Sequence, residues 1–123
     1  MNAQILLIED NEQNRYLVTF LLEQHGHRVT HAADGRSGLR IAAALPFDLI
    51  LLDIQLPEMD GHAVARAIRS DPALSQVPIV AVTSYAMPGD REKVLEAGCN
   101  GYIEKPIDPE TFVAQVTAFL PKV

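Results

Sequence analysis

The sequence predicts an α/β fold in which five parallel β-strands form one sheet and helices cover both of its faces. Short apolar runs rich in β-branched residues alternate with longer stretches that have the apolar spacing of helices. Five such pairs follow one another, which indicates parallel strands joined by right-handed helical crossovers. The chain has 123 residues, the length of one domain, so we expect a single domain over residues 1–123.

Five short segments have the composition of strands. The first, third and fourth are almost continuously apolar, as expected for strands that are buried on both faces of a sheet. The second carries His27, Arg28, Thr30 and His31, so we expect it at an edge of the sheet. In chain order the segments are residues 5–8, 27–32, 48–52, 77–82 and 101–103.

Each strand segment is followed by a stretch with helical spacing. The first helix is expected to begin near Asn11, a good N-terminal cap, and the second after a turn at Asp34. Gly98 ends the fourth, and the fifth is expected to begin with Asp108 as cap and Pro109 at the first helical position. The apolar residues that define the helices are, in order, Leu17, Leu21 and Leu22; Leu39, Ala42 and Ala43; Val64, Ala65 and Ile68; Val94, Leu95 and Ala97; and Phe112, Val113, Val116 and Phe119.

The number of strands and the polar second strand fit one doubly wound arrangement. This is the three-layer, flavodoxin-like (βα)5 sandwich, in which the strand order is 2-1-3-4-5. Ligands of such sheets bind beyond the carboxyl ends of the strands, where the order reverses between the first and third strands. The residues that follow each strand are therefore the candidates for a functional site.

Composition excludes several classes of function. The net charge of −6 argues against nucleic acid and against anionic membranes as partners, because both attract Lys and Arg. With one cysteine, Cys99, the chain has no internal disulfide, and we expect this residue to be a small buried core residue. No apolar run is long enough for a membrane span or a signal peptide, so we expect a cytoplasmic protein.

Reactive side chains accompany the ends of four predicted strands. They are Glu9 and Asp10 after the first, Asp53 at the end of the third, Thr83 at the end of the fourth and Lys105 after the fifth. Because the first and third strands are neighbours, the three acids should crowd together with a hydroxyl and an ammonium beside them. Each residue alone has an ordinary explanation as a cap, a turn residue or a solvated charge, but their joint presence at one sheet edge indicates a site.

Three adjacent carboxylates repel one another. At an effective dielectric constant of ~20, two charges ~4 Å apart cost about 4 kcal/mol. A hard divalent cation such as Mg²⁺ offsets this repulsion, and Lys105 adds a positive charge. The set suits phosphoryl transfer, since the carboxylate of Asp53 can attack phosphorus while the metal, Lys105 and the Thr83 hydroxyl each meet a phosphoryl oxygen.

With these residues the sequence resembles the receiver domains of two-component response regulators along its whole length. The resemblance lies in residues 8–11, 48–61, 78–83 and 102–106. Residues 9–12, 53–57 and 86–90 look most like DivK-type single-domain regulators and the receivers of hybrid sensor kinases.

The resemblance implies a phosphoacceptor and a metal site. Asp53 would accept a phosphoryl group from a histidine kinase or a His-containing phosphotransfer protein. Asp10, Asp53 and the backbone carbonyl of Gln55 would bind Mg²⁺, with Mn²⁺ as a substitute ion, and Glu9 would act through a water molecule. Gln55 and Tyr85 match family positions that tune the dephosphorylation rate.

The resemblance also implies a phosphoryl-binding set and a switch. Thr83, Ser84 and Lys105 would contact the phosphoryl group, and the bond between Lys105 and Pro106 would be cis. Ser84 stands where alanine is common in the family. Tyr102 would turn inward when Thr83 moves toward the phosphate. The surface of helix four, strand five and helix five would then contact a downstream protein target.

Three alternatives differ in what they require. A phosphatase of the haloacid dehalogenase type needs a second aspartate two residues after the nucleophile, where this chain has Gln55, so we expect no turnover of phosphate esters. A flavodoxin-like cofactor carrier needs a phosphate-binding loop after the first strand, where this chain has two acids. The third concerns setting: Met1 favours a free-standing regulator over a receiver cut from a hybrid kinase. Because only three residues follow Leu120, we expect no DNA-binding or enzymatic output domain, and therefore expect output through changes in protein contacts.

Overall fold

The computed structural model describes residues 2–84 and 87–121, and in them five strands alternate with five helices. The strands are β1 (Gln4–Ile8), β2 (Arg28–Ala32), β3 (Leu49–Asp53), β4 (Ile79–Thr83) and β5 (Gly101–Glu104). The helices are α1 (Glu12–Gln24), α2 (Gly35–Ala44), α3 (Gly61–Ser70), α4 (Asp90–Glu96) and α5 (Phe112–Thr117), with a short 3₁₀ helix at Pro72–Leu74 between α3 and β4.

The five strands form one sheet in the order β2-β1-β3-β4-β5, and every neighbouring pair is parallel. All residues of β3 and β4 are buried, whereas β2 is partly exposed at the edge. The predicted fold class, strand order and edge position of the second strand are confirmed. Consequently the order reverses between β1 and β3, as expected from the sequence.

Two apolar clusters, one on each face of the sheet, make up the core. Alternate residues of β1 point to opposite clusters, since side chains alternate along a strand. On one face Val18, Leu21 and Leu22 of α1 pack with Phe112 and Val116 of α5. The other cluster includes Ala42 of α2, Val64, Ala65 and Ile68 of α3, and Val94 of α4. These layers hold the strand ends at fixed positions.

Several helix ends follow from local chemistry as predicted. The side chain of Asn11 accepts a hydrogen bond from the N–H of Asn14 at 2.9 Å, and α1 begins at the next residue after this cap. At Asp34, where the sequence predicted a turn that opens the second helix, the side chain accepts from the N–H of Ser37 at 2.8 Å and caps α2. Gly98, beyond α4, has a φ of 113°, a left-handed conformation that glycine adopts without steric cost.

The predicted start of the fifth helix is wrong. The side chain of Asp108 accepts a hydrogen bond from the N–H of Glu110 at 2.9 Å, and its carbonyl accepts from Thr111 at 3.2 Å. The same carbonyl also accepts from the N–H of Phe112 at 2.9 Å, so Asp108 makes the hydrogen bonds of a cap. Residues 109–111 nevertheless form a turn, and Pro109 precedes the helix instead of opening it. The helix itself begins at Phe112, which is fully buried.

Leu95 does not share the buried face that the pattern suggested. Val94 and Ala97 are buried, but the side chain of Leu95 is 41 % exposed. Successive residues of a helix point about 100° apart, so a seven-residue helix that buries Val94 turns its neighbour toward water. Cys99 is buried, as predicted.

One arginine ties three segments together at the amino end of β4 and β5. The guanidinium of Arg69, in α3, donates to the carbonyl oxygens of Gly98 and Leu74 at 2.8 and 3.0 Å. It also donates to the side-chain oxygen of Asn100 at 2.6 Å, and that oxygen accepts from the N–H of Ile79 at 2.9 Å. Arg69 thus connects α3, the 3₁₀ helix and the turn before β5.

Candidate functional site

The strand register brings three acids to one edge of the sheet. Ile8 pairs with Leu52 in the parallel ladder of β1 and β3. The next residues, Glu9 and Asp53, therefore leave the ladder side by side, with Asp10 one residue further on. A carboxylate oxygen of each of the three acids lies within 4.8 Å of the others. The acids that the sequence predicted to meet are thus together in the structure.

The next two strands carry the predicted hydroxyl and amine to the same edge. Asp53 pairs with Val82, so Thr83 ends β4 one residue beyond that pair. Thr83 pairs with Glu104, and Lys105 follows β5 directly. The backbone N–H of Lys105 donates to the carbonyl oxygen of Thr83 at 2.8 Å, which holds the two residues in register.

Lys105 lies between two buried carboxylates. Its Nζ atom is 3.1 Å from Oε1 of Glu9 and 3.4 Å from Oδ1 of Asp53. The side chains of both acids are almost fully buried, at 3 % and 2 % exposure, and that of Lys105 is 15 % exposed. The ammonium offsets the repulsion between the two acids within a region of low solvent access.

The proximity of Asp53 has a clear effect on Glu9. Burial, followed by a hydrogen bond with Asp53 and the negative charge of that residue, raises the pKa of Glu9 to about 7. Lys105 and the N–H of Asn11, 3.2 Å from Oε2, act in the opposite direction without cancelling this shift. Near neutral pH Glu9 therefore holds a proton in part of the molecules.

Gln55 contacts both the acid cluster and the loop after β4. Its backbone N–H donates to Oδ1 of Asp53 at 2.9 Å. Its side-chain oxygen accepts from the N–H of Ser84 at 3.0 Å and from the Ser84 hydroxyl at 2.7 Å. Ser84, predicted to contact a phosphoryl group, thus has both of its donors on Gln55 in this structure.

The predicted switch residues lie on neighbouring strands. Thr83 is buried at the end of β4, and Tyr102 pairs with Ala81 two positions earlier. The ring of Tyr102 is partly buried against the core cluster, and this burial, with Glu104 and Asp90 nearby, raises the pKa of its hydroxyl.

The predicted cis bond between Lys105 and Pro106 is present in the structure. Tyr85, which the sequence also singled out, lies outside the described residues.

One residue of the site was not found from the sequence. The guanidinium of Arg15, on the first turn of α1, donates to the backbone carbonyl oxygens of Glu9 and Asp10 at 3.0 Å each. This pair of bonds fixes the loop that carries both acids. In the sequence Arg15 looks like an ordinary solvated charge, and only its position shortly after the acid pair could have drawn attention to it.

The donor set fits a hard divalent cation. Glu9, Asp10 and Asp53 supply oxygen atoms only, and Asp10 is exposed, so a bound ion could keep water ligands. Among the residues that the structure describes, no nitrogen or sulfur ligand belongs to this cluster, which disfavours zinc and copper. These three acids could hold a metal ion.

Fold and site together define the class of protein. Residues 5–117 match the response regulator receiver domain family, and the chain belongs to that family. It is a DivK-like receiver domain of two-component signalling, and its acidic cluster is consistent with a phosphorylation site. Receiver domains of this family interact with histidine kinases and with downstream targets.

Curated relatives and solved structures agree with this assignment. The polar-differentiation response regulator DivK of Brucella ovis is 38 % identical over 120 residues, which cover 98 % of each chain. The receiver domain of a sensor histidine kinase from Pseudomonas aeruginosa is 38 % identical with a TM-score of 0.88, covers 97 % of this chain and 98 % of its own, and has a magnesium ion coordinated in its active site cleft. Chemotaxis protein CheY4 of Vibrio cholerae has a TM-score of 0.92 at 30 % identity, over 98 % of this chain and 100 % of its own.

The family assignment favours neither of the two rival functions. The phosphatase and the cofactor-carrier interpretations find no support in these relatives. Across residues 2–84 and 87–121, no helix combines the length and the apolar character that crossing a bilayer requires.

Proposed function

We propose that Asp53 accepts a phosphoryl group from a phosphorylated histidine of a kinase or of a phosphotransfer protein. The observation that carries the proposal is the placement of this one carboxylate. Asp53 is buried, and its carboxylate lies 3.4 Å from the ammonium of Lys105. One carboxylate oxygen each of Glu9 and Asp10 lies within 4.8 Å of it. Such a carboxylate is held in place for attack on an electrophile whose charge the neighbouring groups can stabilise.

The chemical step is a substitution at phosphorus. A carboxylate oxygen of Asp53 forms a bond to phosphorus while the bond between phosphorus and the histidine nitrogen breaks. The electron pair of that bond returns to the imidazole, which takes up a proton from water, and the product on Asp53 is an acyl phosphate. With acetyl phosphate as donor, the bond from phosphorus to the acetate oxygen breaks instead, and acetate leaves.

Residues around Asp53 would stabilise the transferred group. Lys105 supplies a positive charge to one phosphoryl oxygen, and the hydroxyl of Thr83 and the donors of Ser84 supply hydrogen bonds to others. Asp10, Asp53, the carbonyl of Gln55 and, through water, Glu9 would hold Mg²⁺, or Mn²⁺ as a substitute. A bound ion of this kind would neutralise the negative charge on the attacking carboxylate oxygen and on the oxygens of the transferred group.

The output would be a change in protein contacts. Movement of Thr83 toward the phosphoryl group would let Tyr102 turn inward and alter the surface of α4, β5 and α5, which would meet a downstream protein in the cytoplasm. Apart from forming and losing its own phosphoryl group, the chain would catalyse no reaction. Gln55 supports this view, because its amide cannot replace the proton-transferring aspartate of phosphatases.

Incubation with acetyl phosphate and Mg²⁺, followed by intact-mass measurement, tests the proposal. We expect the wild type to gain one phosphoryl group that is lost again with time, and the Asp53→Asn variant to gain none. The matched control is Asp71→Asn, which changes an aspartate that caps the 3₁₀ helix before β4, away from the carboxyl ends of the strands. This variant should take up the phosphoryl group like the wild type.

Two results would contradict the assignment of Asp53. One is a phosphoryl group on the full-length Asp53→Asn protein. The other is the absence of any uptake by a folded wild-type protein over a range of Mg²⁺ concentrations. Hydrolysis of small phosphate esters with many turnovers would instead revive the phosphatase interpretation.

A further inference from the structure

The side chain of Gln55 bridges two loops at the edge of the site. Gln55 lies in the loop after β3, and Ser84 lies in the loop after β4. A single oxygen, Oε1 of Gln55, accepts the N–H of Ser84 at 3.0 Å and its hydroxyl at 2.7 Å. Both hydrogen-bond donors of Ser84 are therefore already bound to one oxygen atom, Oε1 of Gln55.

The residue that supplies this oxygen also contacts Asp53. The N–H of Gln55 donates to Oδ1 of Asp53 at 2.9 Å, so one residue reaches the carboxylate with its backbone and Ser84 with its side chain. Ser84 directly follows Thr83, at the same sheet edge. An N–H and a hydroxyl that converge on one oxygen form the type of donor pair that stabilises an anionic oxygen in group transfer.

We propose that Oε1 of Gln55 takes the place of a phosphoryl oxygen while Asp53 is unmodified. This inference rests on the proposed function, because it requires that Asp53 receives the phosphoryl group. For Ser84 to contact that group, the side chain of Gln55 must release both donors and turn away. Gln55 is then a positioning residue that slows phosphorylation, since its two hydrogen bonds are broken before Ser84 can bind the incoming oxygen.

The exposure of the two residues sets the size of the effect. Ser84 is exposed and Gln55 is only partly buried, so water can replace each hydrogen bond when the bridge opens. The bridge can therefore open without unfolding its surroundings. Net contributions of solvent-accessible hydrogen bonds are small, and we expect loss of the bridge to speed phosphorylation by about fivefold.

The kinetic test uses Gln55→Met, which keeps the backbone and the approximate side-chain size but removes the acceptor. At saturating Mg²⁺, with acetyl phosphate as donor and intact mass as readout, this variant should gain its phosphoryl group about fivefold faster than the wild type. Gln115→Met is the matched control, because Gln115 is exposed on α5, and it should react at the wild-type rate. Melting temperatures of both variants establish that they are folded.

A second substitution separates the bridge from a general effect of methionine. Ser84→Ala removes the hydroxyl but keeps the N–H, so one of the two hydrogen bonds to Gln55 remains. In the Ser84→Ala background the gain from Gln55→Met should fall to about twofold. An equal gain in both backgrounds, or a Gln55→Met protein that is folded yet no faster than the wild type, would overturn the proposal.

Nuclear magnetic resonance provides a readout that does not depend on turnover. The backbone N–H of Ser84 should exchange with solvent more slowly in the wild type than in Gln55→Met. Beryllofluoride, a phosphoryl mimic, should shift the side-chain amide resonance of Gln55 in the wild type as the bridge opens. A Gln55 side chain that keeps its resonance when beryllofluoride is bound would also refute the placeholder role.

The outcomes distinguish this proposal from the proposed function. If the wild type is phosphorylated on Asp53 and Gln55→Met reacts at the same rate, the proposed role of Gln55 is refuted. The assignment of Asp53 as the phosphoacceptor then still stands. A wild-type protein that takes up no phosphoryl group and binds no beryllofluoride removes both.

Discussion

Replacing Lys105 with methionine removes the cation that lies between two buried carboxylates. Methionine has nearly the same length and no charge, so the change leaves the packing of the side-chain stem largely intact. Glu9 and Asp53 then face each other without the ammonium that lies 3.1 and 3.4 Å away in the wild type. We expect a loss of stability whose size depends on pH.

The magnitude follows from the distances and from the pKa of Glu9. At an effective dielectric constant of ~20, the attraction over 3.1 Å amounts to about 5 kcal/mol, and relief of the desolvation of Lys105 returns part of it. We expect a net loss on the order of 3 kcal/mol at about pH 8, where Glu9 is mostly ionised.

At lower pH the loss should be smaller. The pKa of Glu9 is already raised to about 7 in the wild type, and without Lys105 it rises further. A raised carboxyl pKa means that the folded state binds more protons than the unfolded state above the ordinary value of 4.5, so stability falls as pH rises through this window. At about pH 5.5 Glu9 is mostly protonated in both proteins, and we expect a loss about 1 kcal/mol smaller than at pH 8.

Urea denaturation followed by far-ultraviolet circular dichroism, without metal, measures the free energy of unfolding at both pH values. Lys93→Met is the matched control, because Lys93 is exposed on α4 and is not among the ion pairs of the described residues. The reasoning is refuted if Lys105→Met loses the same free energy at both pH values, or if it is as stable as Lys93→Met at the higher one.

Three further changes should have measurable effects. Burial lowers the pKa of His27, whose Nδ1 atom accepts the N–H of Ala3 at 3.1 Å. In thermal melts the contribution of His27 to stability should be complete above its ordinary pKa of 6.5 and should decline as the pH falls below that value. This decline should be weaker in His27→Gln. Phe112→Ala removes a fully buried ring and should lower the free energy of unfolding by about 4 kcal/mol in urea titrations, whereas a loss below about 1 kcal/mol would mean that the core refills the space. Gly61→Ala places a Cβ atom 2.5 Å from Cα of Ile54, next to Asp53, so we expect a loss of about 2 kcal/mol in the same titrations. An unchanged midpoint would show that the loop moves to make room.

The fold could be predicted from the sequence because the information needed was local. Runs such as residues 48–52 and 77–82 are short and apolar at nearly every position, as expected of strands buried on both faces. Caps at Asn11 and Asp34 acted through their nearest neighbours. The start of α5 was predicted three residues too early, because Asp108 makes the hydrogen bonds of a cap although residues 109–111 form a turn and the helix begins at Phe112.

The site divides in the same way. Positions at strand ends followed from the register alone, so Glu9, Asp53 and Thr83 were found. The roles of Arg15 and of the Gln55 side chain depend on the conformations of long side chains that reach another loop. Such conformations have no period in the sequence, and their partners are distant in the chain or are backbone atoms.

The hydrogen bonds of Arg69 and Asn100 lie at the amino end of β4, opposite the end that carries Thr83. β4 runs from Ile79 to Thr83, and its four residue steps span about 13 Å. At its first residue, the N–H of Ile79 donates to Asn100, which also binds Arg69; Ser84 follows its last residue. At the end of β4 far from Ser84, these hydrogen bonds join α3, the 3₁₀ helix and the turn before β5. We expect strain from the site to be released sideways, into α4 and the exposed face of β5, rather than lengthwise through the domain.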